Sequence, residues 1–435
     1  MKLSLFQSII MAIFGLGALI GLFVFATYSG KNNGSNTIGT VIVWGTLPQD
    51  DMKSVIAGIT QIDQSLKSFT YIEKDEATLP ADLASAIATG SSPDLVLASQ
   101  EELLSLTKYL SPIPPASLPA RTFQNSFAEG ANIVTVPGGG GYWGIPFLID
   151  PLALFSNRRI LSSSGIARPP STWEALTGLV PVVVQFSPTR QIQRGLIALG
   201  SYDNVRDARG VLSTLFLQTN VPITGYASSG LLVADLGAKQ TSGVPMGQAV
   251  TRFYTQFADP TKVSYTWNAA LQNSEQAFLA GDLALSLGYV SRARFLKTAN
   301  PNLDFDVAPA PQPATAVSKT VYGLIYTFMA VRGAKNPSGA YQAAVLFSNP
   351  AEQAIAAANT GLAPASLTEL SRSSPDPILA VAYAEALYTR GWLSPAPSLV
   401  DPIFSGMINN VISGRTTLDT ALGIAERSLS ALLMQ

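Results

Sequence analysis

The chain of 435 residues is 47 % hydrophobic and only 13 % charged, with 27 basic and 28 acidic residues and a formal net charge of −1. An average soluble domain is roughly 25 % charged, so this is a globular chain with a large core and a sparsely charged surface, and with no basic run it offers nucleic acid no electrostatic footprint. Cysteine and histidine are both absent, which excludes disulfides, thiol nucleophiles, Cys/His zinc sites and a Ser-His-Asp triad and leaves chemistry by carboxylates, lysine, tyrosine or oxygen-bound metals.

No charge occurs between Lys2 and Lys31, and residues 9–26 are apolar throughout. With Ser8 and Thr27 the stretch reaches the about 20 residues a membrane-crossing helix needs. It exceeds the ~7–15 residues of a signal-peptide core, and Val24-Phe25-Ala26 lacks a small residue two before the cut. Residues 1–30 therefore read as an uncleaved signal anchor. This would be a single-pass transmembrane helix in the cell membrane, with the body on the extracytoplasmic side. Lys2 and Lys31 orient it only weakly. Without cysteine a lipid anchor is excluded. Residues 31–37, within the Gly/Asn/Ser-rich stretch 30–40, read as a flexible linker.

In the body, the β-branched run Val41-Ile42-Val43-Trp44-Gly45 predicts a buried strand. Met52, Val55, Ile56, Ile59, Ile62 and Leu66 fit a 3.6-residue period and predict a helix over 51–68. A strand is expected at 69–72, a helix at 79–89 ended by Gly90, a strand at 93–98 and a helix at 101–110. This alternation implies a mostly parallel sheet with helices on its faces, whose ligands bind beyond the carboxyl ends of the strands. The run Gly138-Gly139-Gly140-Gly141 leads into a strand, not a helix opening with GK[ST], so it reads as a hairpin tip and not a phosphate cradle. A strand at 147–155 follows. Thr172 is a good N-cap for a helix beginning with Trp173 and Glu174. Residues 190–300 read as mainly helical, 303–308 and 321–331 as strands. Helices over 338–347, 350–358, 377–388 and 418–433 close the chain. Glu73, Asp75 and Glu76 form an acidic cluster on a loop and read as solvated.

Five motifs in order carry a resemblance: Val41-Ile42-Val43-Trp44-Gly45; Ser92-Pro93-Asp94-Leu95-Val96-Leu97; Tyr142-Trp143-Gly144-Ile145-Pro146 with Leu154-Phe155-Ser156-Asn157 and then Pro170-Ser171-Thr172-Trp173-Glu174; Phe278-Leu279-Ala280-Gly281-Asp282-Leu283-Ala284-Leu285; and Val307-Ala308-Pro309-Ala310-Pro311. Over roughly residues 40–433 the body resembles the extracellular solute-binding proteins of family 1, the maltose-binding-protein-like group. It departs from that pattern in Ser156, in Leu283-Ala284-Leu285 and in having no lipobox cysteine.

The resemblance implies an α/β, two-lobed periplasmic-binding-protein-like fold of type II. Lobe 1 would hold residues 38–149 plus 309–362 and lobe 2 residues 150–308 plus 363–435, closing on ligand by a hinge. It implies a small polar ligand, a saccharide, passed by a monomeric binder to the permease of an ABC importer, with no catalysis, cofactor or metal. A sensing or adhesive ectodomain of the same fold is the alternative. A carboxylate glycan hydrolase or lyase would need two acids facing each other about 5–9.5 Å apart, and no motif pairs them. Aromatic faces and amide or carboxyl groups suit sugars. The candidate ligand contacts are Trp44, Thr46 and Gln49 after the first strand, Ser99 and Gln100 after the third, Asp150 beside the first crossing, and Trp267, Tyr289 and Tyr322. Arg292 and Arg294 read as solvated helix charges.

Overall fold

The computed structural model describes residues 38–237 and 245–434. The apolar stretch 9–26 and the linker 31–37 lie outside them. Among the described residues no helix is long and apolar enough to cross a membrane.

Strand β1 (Val41–Gly45) buries alternate residues and runs parallel to β2 (Phe69–Glu73) on one side and β3 (Leu95–Ala98) on the other. Helix α1 (Gln49–Ile62) buries Met52, Val55 and Ile59, the periodic positions. It stops before 68 because Asp63 turns extended and accepts the Ser65 N–H, opening a short 3-10 turn. The aspartate of the Ser92-Pro93-Asp94 motif is buried and works for the backbone. Its two oxygens accept the Ile42 and Asn336 N–H groups at 2.9 and 2.8 Å. Helix α2 (Gln100–Leu106) follows, with Ser99 as its N-cap.

Strand β4 (Ile145–Asn157) is buried along its whole length. Residue 144 must be glycine, because a Cβ there would lie 2.3 Å from the Phe328 carbonyl oxygen. Beyond it come the short β5 (Gln185–Phe186), β6 (Ile192–Ile197), the hairpin β7 (Thr224–Tyr226) with β8 (Leu232–Ala234), β9 (Leu283–Tyr289), β10 (Phe305–Pro309), β11 (Val321–Ala330), β12 (Ala363–Pro364) and β13 (Thr389–Arg390). The main sheet runs β2-β1-β3-β11-β4-β9-β6-β5. The first half of β4 pairs antiparallel with β11 and β12, the second half with β9 and β10. Each half carries its own helices, which gives the mixed α/β, two-lobed arrangement.

Two expectations are corrected. The sheet is mixed, because β11 lies antiparallel between β3 and β4. Residues 190–300 are not mainly helical. They supply β6 and β9, the parallel pair of the second half, as well as the helices α3 (Ala208–Gln218) and α4 (Arg292–Ala299). In β9 the sequence Leu-Ala-Leu-Ser-Leu-Gly-Tyr favours helix by composition, but it sits between β4 and β6 and is extended by that pairing.

Gly323 faces Pro151 of β4, and a Cβ there would meet the Asp150 carbonyl oxygen at 2.9 Å and Thr389 at 2.8 Å. Gly323→Ala is expected to destabilise the chain by about 1–3 kcal/mol. Gly406, inside the helix Pro397–Ile412 with no neighbour within 4 Å of a built Cβ, gives the opposite sign. Gly406→Ala should stabilise by about 0.5–1 kcal/mol. Denaturant unfolding of both variants checks the pair.

Candidate functional site

The carboxyl ends of the strands set the site. Near the end of β1, Trp44 is half-buried with the Lys74 ammonium 4.0 Å from its ring centroid, and just beyond the strand Thr46 donates its N–H to Leu97. Gln49 spends its side chain on the end of β2: its amide donates to Tyr71 O and accepts the Glu73 N–H at 2.9 Å.

Beyond β3 the next residues turn inward. The Ser99 hydroxyl accepts the Glu101 N–H and donates to Glu102, completing a capping box. Gln100, 1 % exposed, clamps α2 to β11: its amide donates to Gly323 O at 3.0 Å and accepts the Ile325 N–H at 2.6 Å. Tyr322 is fully buried. Its hydroxyl donates to Glu101, and its N–H donates to Thr214 of α3.

Glu101 is the centre of this network. Arg209, at the start of α3, donates to its two oxygens at 3.1 and 2.7 Å, joining the helix after β3 to the helix after β6. The other arm of Arg209 reaches Asp401 at 2.9 Å, and Asp401 also accepts the Tyr202 hydroxyl at 2.6 Å. Burial pushes the Glu101 carboxyl up, while Arg209 and the Tyr322 hydroxyl pull it back. Receiving three donors, it is the ionised partner of the guanidinium. Burial opposes the Arg209 charge, but Glu101 foremost holds it up.

Next to this bridge lies a cavity of about 400 Å³ lined among others by Tyr202, Arg206, Asp207, Arg209, Tyr289 and Asp401. Asp207 is the N-terminal neighbour of α3 and holds a left-handed backbone at φ 57°. Its Oδ2 is buried without a partner. Non-glycine residues in that region cost of order 1–3 kcal/mol and cluster at functional sites. Burial raises the Asp207 carboxyl, with Arg206 and Arg292 opposing. A second cavity, of about 370 Å³, mixes small and apolar residues with the charged Arg294, Lys297, Glu369 and Asp376. The first has the denser set of convergent polar groups, which orient small ligands.

Of the candidate residues, Tyr289 lines the cavity. Trp44, Thr46 and Gln49 stand at the strand ends but outside that lining. Ser99, Gln100, Asp150, Trp267 and Tyr322 are buried. Trp267 packs in the core beside Gly195 and donates its indole N–H to Asn204 at 3.3 Å. The reading of Arg292 and Arg294 as solvated charges is corrected. Arg292 pairs with Glu275, and Arg294 binds Asp51 at 3.2 Å and the Ala358 carbonyl at 3.1 Å, linking α4 to α1. Glu101, Asp207, Arg209 and Asp401 were not singled out from sequence. Each gains its role only from partners about one hundred or more positions away, or from a backbone turn.

Two halves that share one strand and are tied by the Glu101–Arg209 pair, with a polar cavity lined by the second half beside that pair, form the architecture of a protein that captures a small solute. The profile of the family described as bacterial extracellular solute-binding protein matches residues 67–377, and the chain belongs to that family. The family is one of solute binders, not enzymes. Among the solved structures that share the fold are three sugar-binding examples. The cyclic alpha-maltosyl-1,6-maltose binding protein of Arthrobacter globiformis superposes with a TM-score of 0.72 at 15 % identity, covering 91 % of this chain and 98 % of that one. A cyclo/maltodextrin-binding protein complexed with maltotetraose gives 0.69 at 16 %, covering 92 % and 98 %. An ABC transporter solute-binding protein of Thermotoga lettingae bound with alpha-D-tagatose gives 0.65 at 16 %, covering 91 % and 99 %. A comparison with curated proteins finds no match.

Asp150 yields a pH prediction. It is 3 % exposed and accepts the Ser291 N–H at 3.1 Å. Burial raises its carboxyl from 3.8 to about 7, with Ser291 and Arg292 opposing and Asp207 adding to the rise. Between those two values the folded chain keeps a proton that the unfolded chain has released. This contribution is therefore whole below about pH 4, falls as pH rises towards 7 and is lost above it. Asp150→Asn retains an acceptor for Ser291 and removes the dependence. Denaturant unfolding at pH 4.5, 6 and 7.5 should show the variant gaining on the wild type by about 3 kcal/mol across that range.

Proposed function

We propose that this chain is an extracytoplasmic solute-binding protein that captures a saccharide by closure of its lobes and delivers it to the permease of an ABC importer. The observation that carries the reading is the polar cavity that the second half lines beside the Glu101–Arg209 bridge, where helix starts of the two halves meet. Its acids accept from hydroxyls while Arg206 and Arg209 donate to ring and hydroxyl oxygens, the mixture a polyhydroxylated ligand requires. The maltodextrin and tagatose complexes of the structural neighbours support the ligand class.

In this reading Tyr202, Arg206, Asp207, Arg209, Tyr289 and Asp401 hold the ligand from one side, and Trp44, Thr46 and Gln49 approach from the other on closure. Ser99, Gln100, Asp150, Trp267 and Tyr322 position those groups. Lobe 1 comprises residues 38–149 plus 309–362 and lobe 2 residues 150–308 plus 363–435, hinged at the crossings. The protein acts as a monomer held to the cell membrane by residues 1–30, with 31–37 as linker.

A ligand that binds only the folded chain raises its stability by mass action, by about 2.7 kcal/mol at one hundred times Kd. Thermal unfolding of the purified chain with maltose, maltotetraose, tagatose and a wider saccharide panel should give a saturable rise with at least one sugar. Asp207→Asn should weaken that response about tenfold or more. No shift with any saccharide, but one with a peptide, polyamine or anion, would overturn the assignment.

A further inference from the structure

Beside the Arg209 bridge three carboxylates converge from two separate segments. Glu101 and Glu102 open helix α2, and Glu76 comes from the loop after β2. One oxygen from each lies within 4.8 Å of the others. We propose that Glu76, Glu101 and Glu102 form a binding site for a calcium-sized divalent cation on the β3 side of the cleft.

Glu102 makes the case. It is 2 % exposed. Its Oε2 accepts the Ser99 N–H and hydroxyl at 3.1 and 2.8 Å, which explains one oxygen as a helix cap. Oε1 is buried with no donor. What the Glu102 carboxyl meets there is another carboxyl, that of Glu76. A buried acceptor without a partner is costly, and two carboxylates face to face repel, so the capping role leaves this oxygen unexplained.

A cation resolves both costs. Arg209 is shared between Glu101 and Asp401, so Glu76 and Glu102 are left with no guanidinium of their own, and a divalent ion supplies the missing positive charge. Lys74, two residues before Glu76, is not free to do so, because its ammonium lies on the Trp44 ring and binds Asp82 at 3.3 Å. Calcium binds oxygen at about 2.3–2.6 Å in flexible geometry, so oxygens on one ion can stand up to about 5 Å apart, a limit these carboxylates meet. Magnesium demands a near-ideal octahedron and dehydrates reluctantly, which suits it less to carboxylates already fixed by a helix cap and a guanidinium. Glu76 is exposed, leaving room for water to complete the coordination. Because Glu101 also receives Arg209, an ion here touches the group that ties the two halves together.

This site does not depend on the ligand assignment. The experiment uses the full chain in detergent, freed of metal by chelation, followed by thermal unfolding with calcium or magnesium chloride at constant ionic strength. Terbium luminescence excited through tryptophan serves as a direct reading. Calcium should raise the melting temperature saturably, with half-saturation at least tenfold lower than for magnesium. Glu76→Gln, at an exposed position where folding is not at stake, should raise the calcium half-saturation at least tenfold, and Glu102→Gln should abolish the response. The inference is overturned if calcium gives no saturable rise. It is equally overturned if Glu76→Gln responds as the wild type does, or if that variant simply melts higher in chelator while neither protein binds terbium, as a carboxyl pair sharing a proton would. The saccharide panel, run in chelator, reads the other proposal separately.

Discussion

The architecture turns on strand β4, which is hydrogen-bonded through residues 145–151 to β11 and through residues 152–157 to β9 and β10. A strand buried on all sides cannot slip by one residue without sending every side chain to the wrong face, so its register fixes both halves relative to the chain that joins them. Any closing motion must bend within this shared strand and its neighbours β11 and β12. The close approach of Gly323 to Pro151 and the clamp of Gln100 on Gly323 and Ile325 lie at that bend. They hold α2 firmly to β11, which places Glu101 where Arg209 of α3 can reach it.

That ion pair is buried on the carboxylate side, with Glu101 at 2 % and Arg209 at 15 % side-chain exposure. Desolvating both groups offsets most of their attraction, whereas removing one partner alone costs about 3–5 kcal/mol. The pair therefore contributes little net driving force to closure and a strong geometric preference when the halves meet. The Asp51–Arg294 pair, 30 % and 45 % exposed, adds at most about 1 kcal/mol. With the protein's own bridges so nearly balanced, a ligand needs only a modest difference in affinity between open and closed states to shift the population.

The sequence made the first half legible because its signals are local. The period of Met52, Val55 and Ile59 gave the first helix, and the Asp94 motif marked the third strand through a carboxylate that caps neighbouring backbone. The second half was harder. β9 is composed like a helix and becomes a strand only between β4 and β6. Aromatic residues were the weakest guide to the site. Trp173 was legible because Thr172 caps the helix it opens, but Trp267 is an amphipathic side chain whose indole N–H finds a partner in Asn204, and nothing local separates such a buried indole from one facing ligand. The charged residues of the site were missed for the complementary reason. Arg209 and Asp401 meet across a long chain separation, and the left-handed turn at Asp207 has no glycine to announce it.

What results is a gap whose character is set by hydrogen-bonding groups more than by aromatic platforms. Tyr289 is a lining ring, whereas Trp44 lies outside that lining beneath Lys74. Apolar faces discriminate poorly between similar molecules, while a buried polar group left unpaired rejects a ligand lacking its complement by orders of magnitude. Asp207 is held in a strained backbone with Oδ2 buried against Gly288, and it cannot turn without disturbing the first turn of α3. Selectivity in this fold would rest on the stiffness of the helix start as much as on the shape of the cavity.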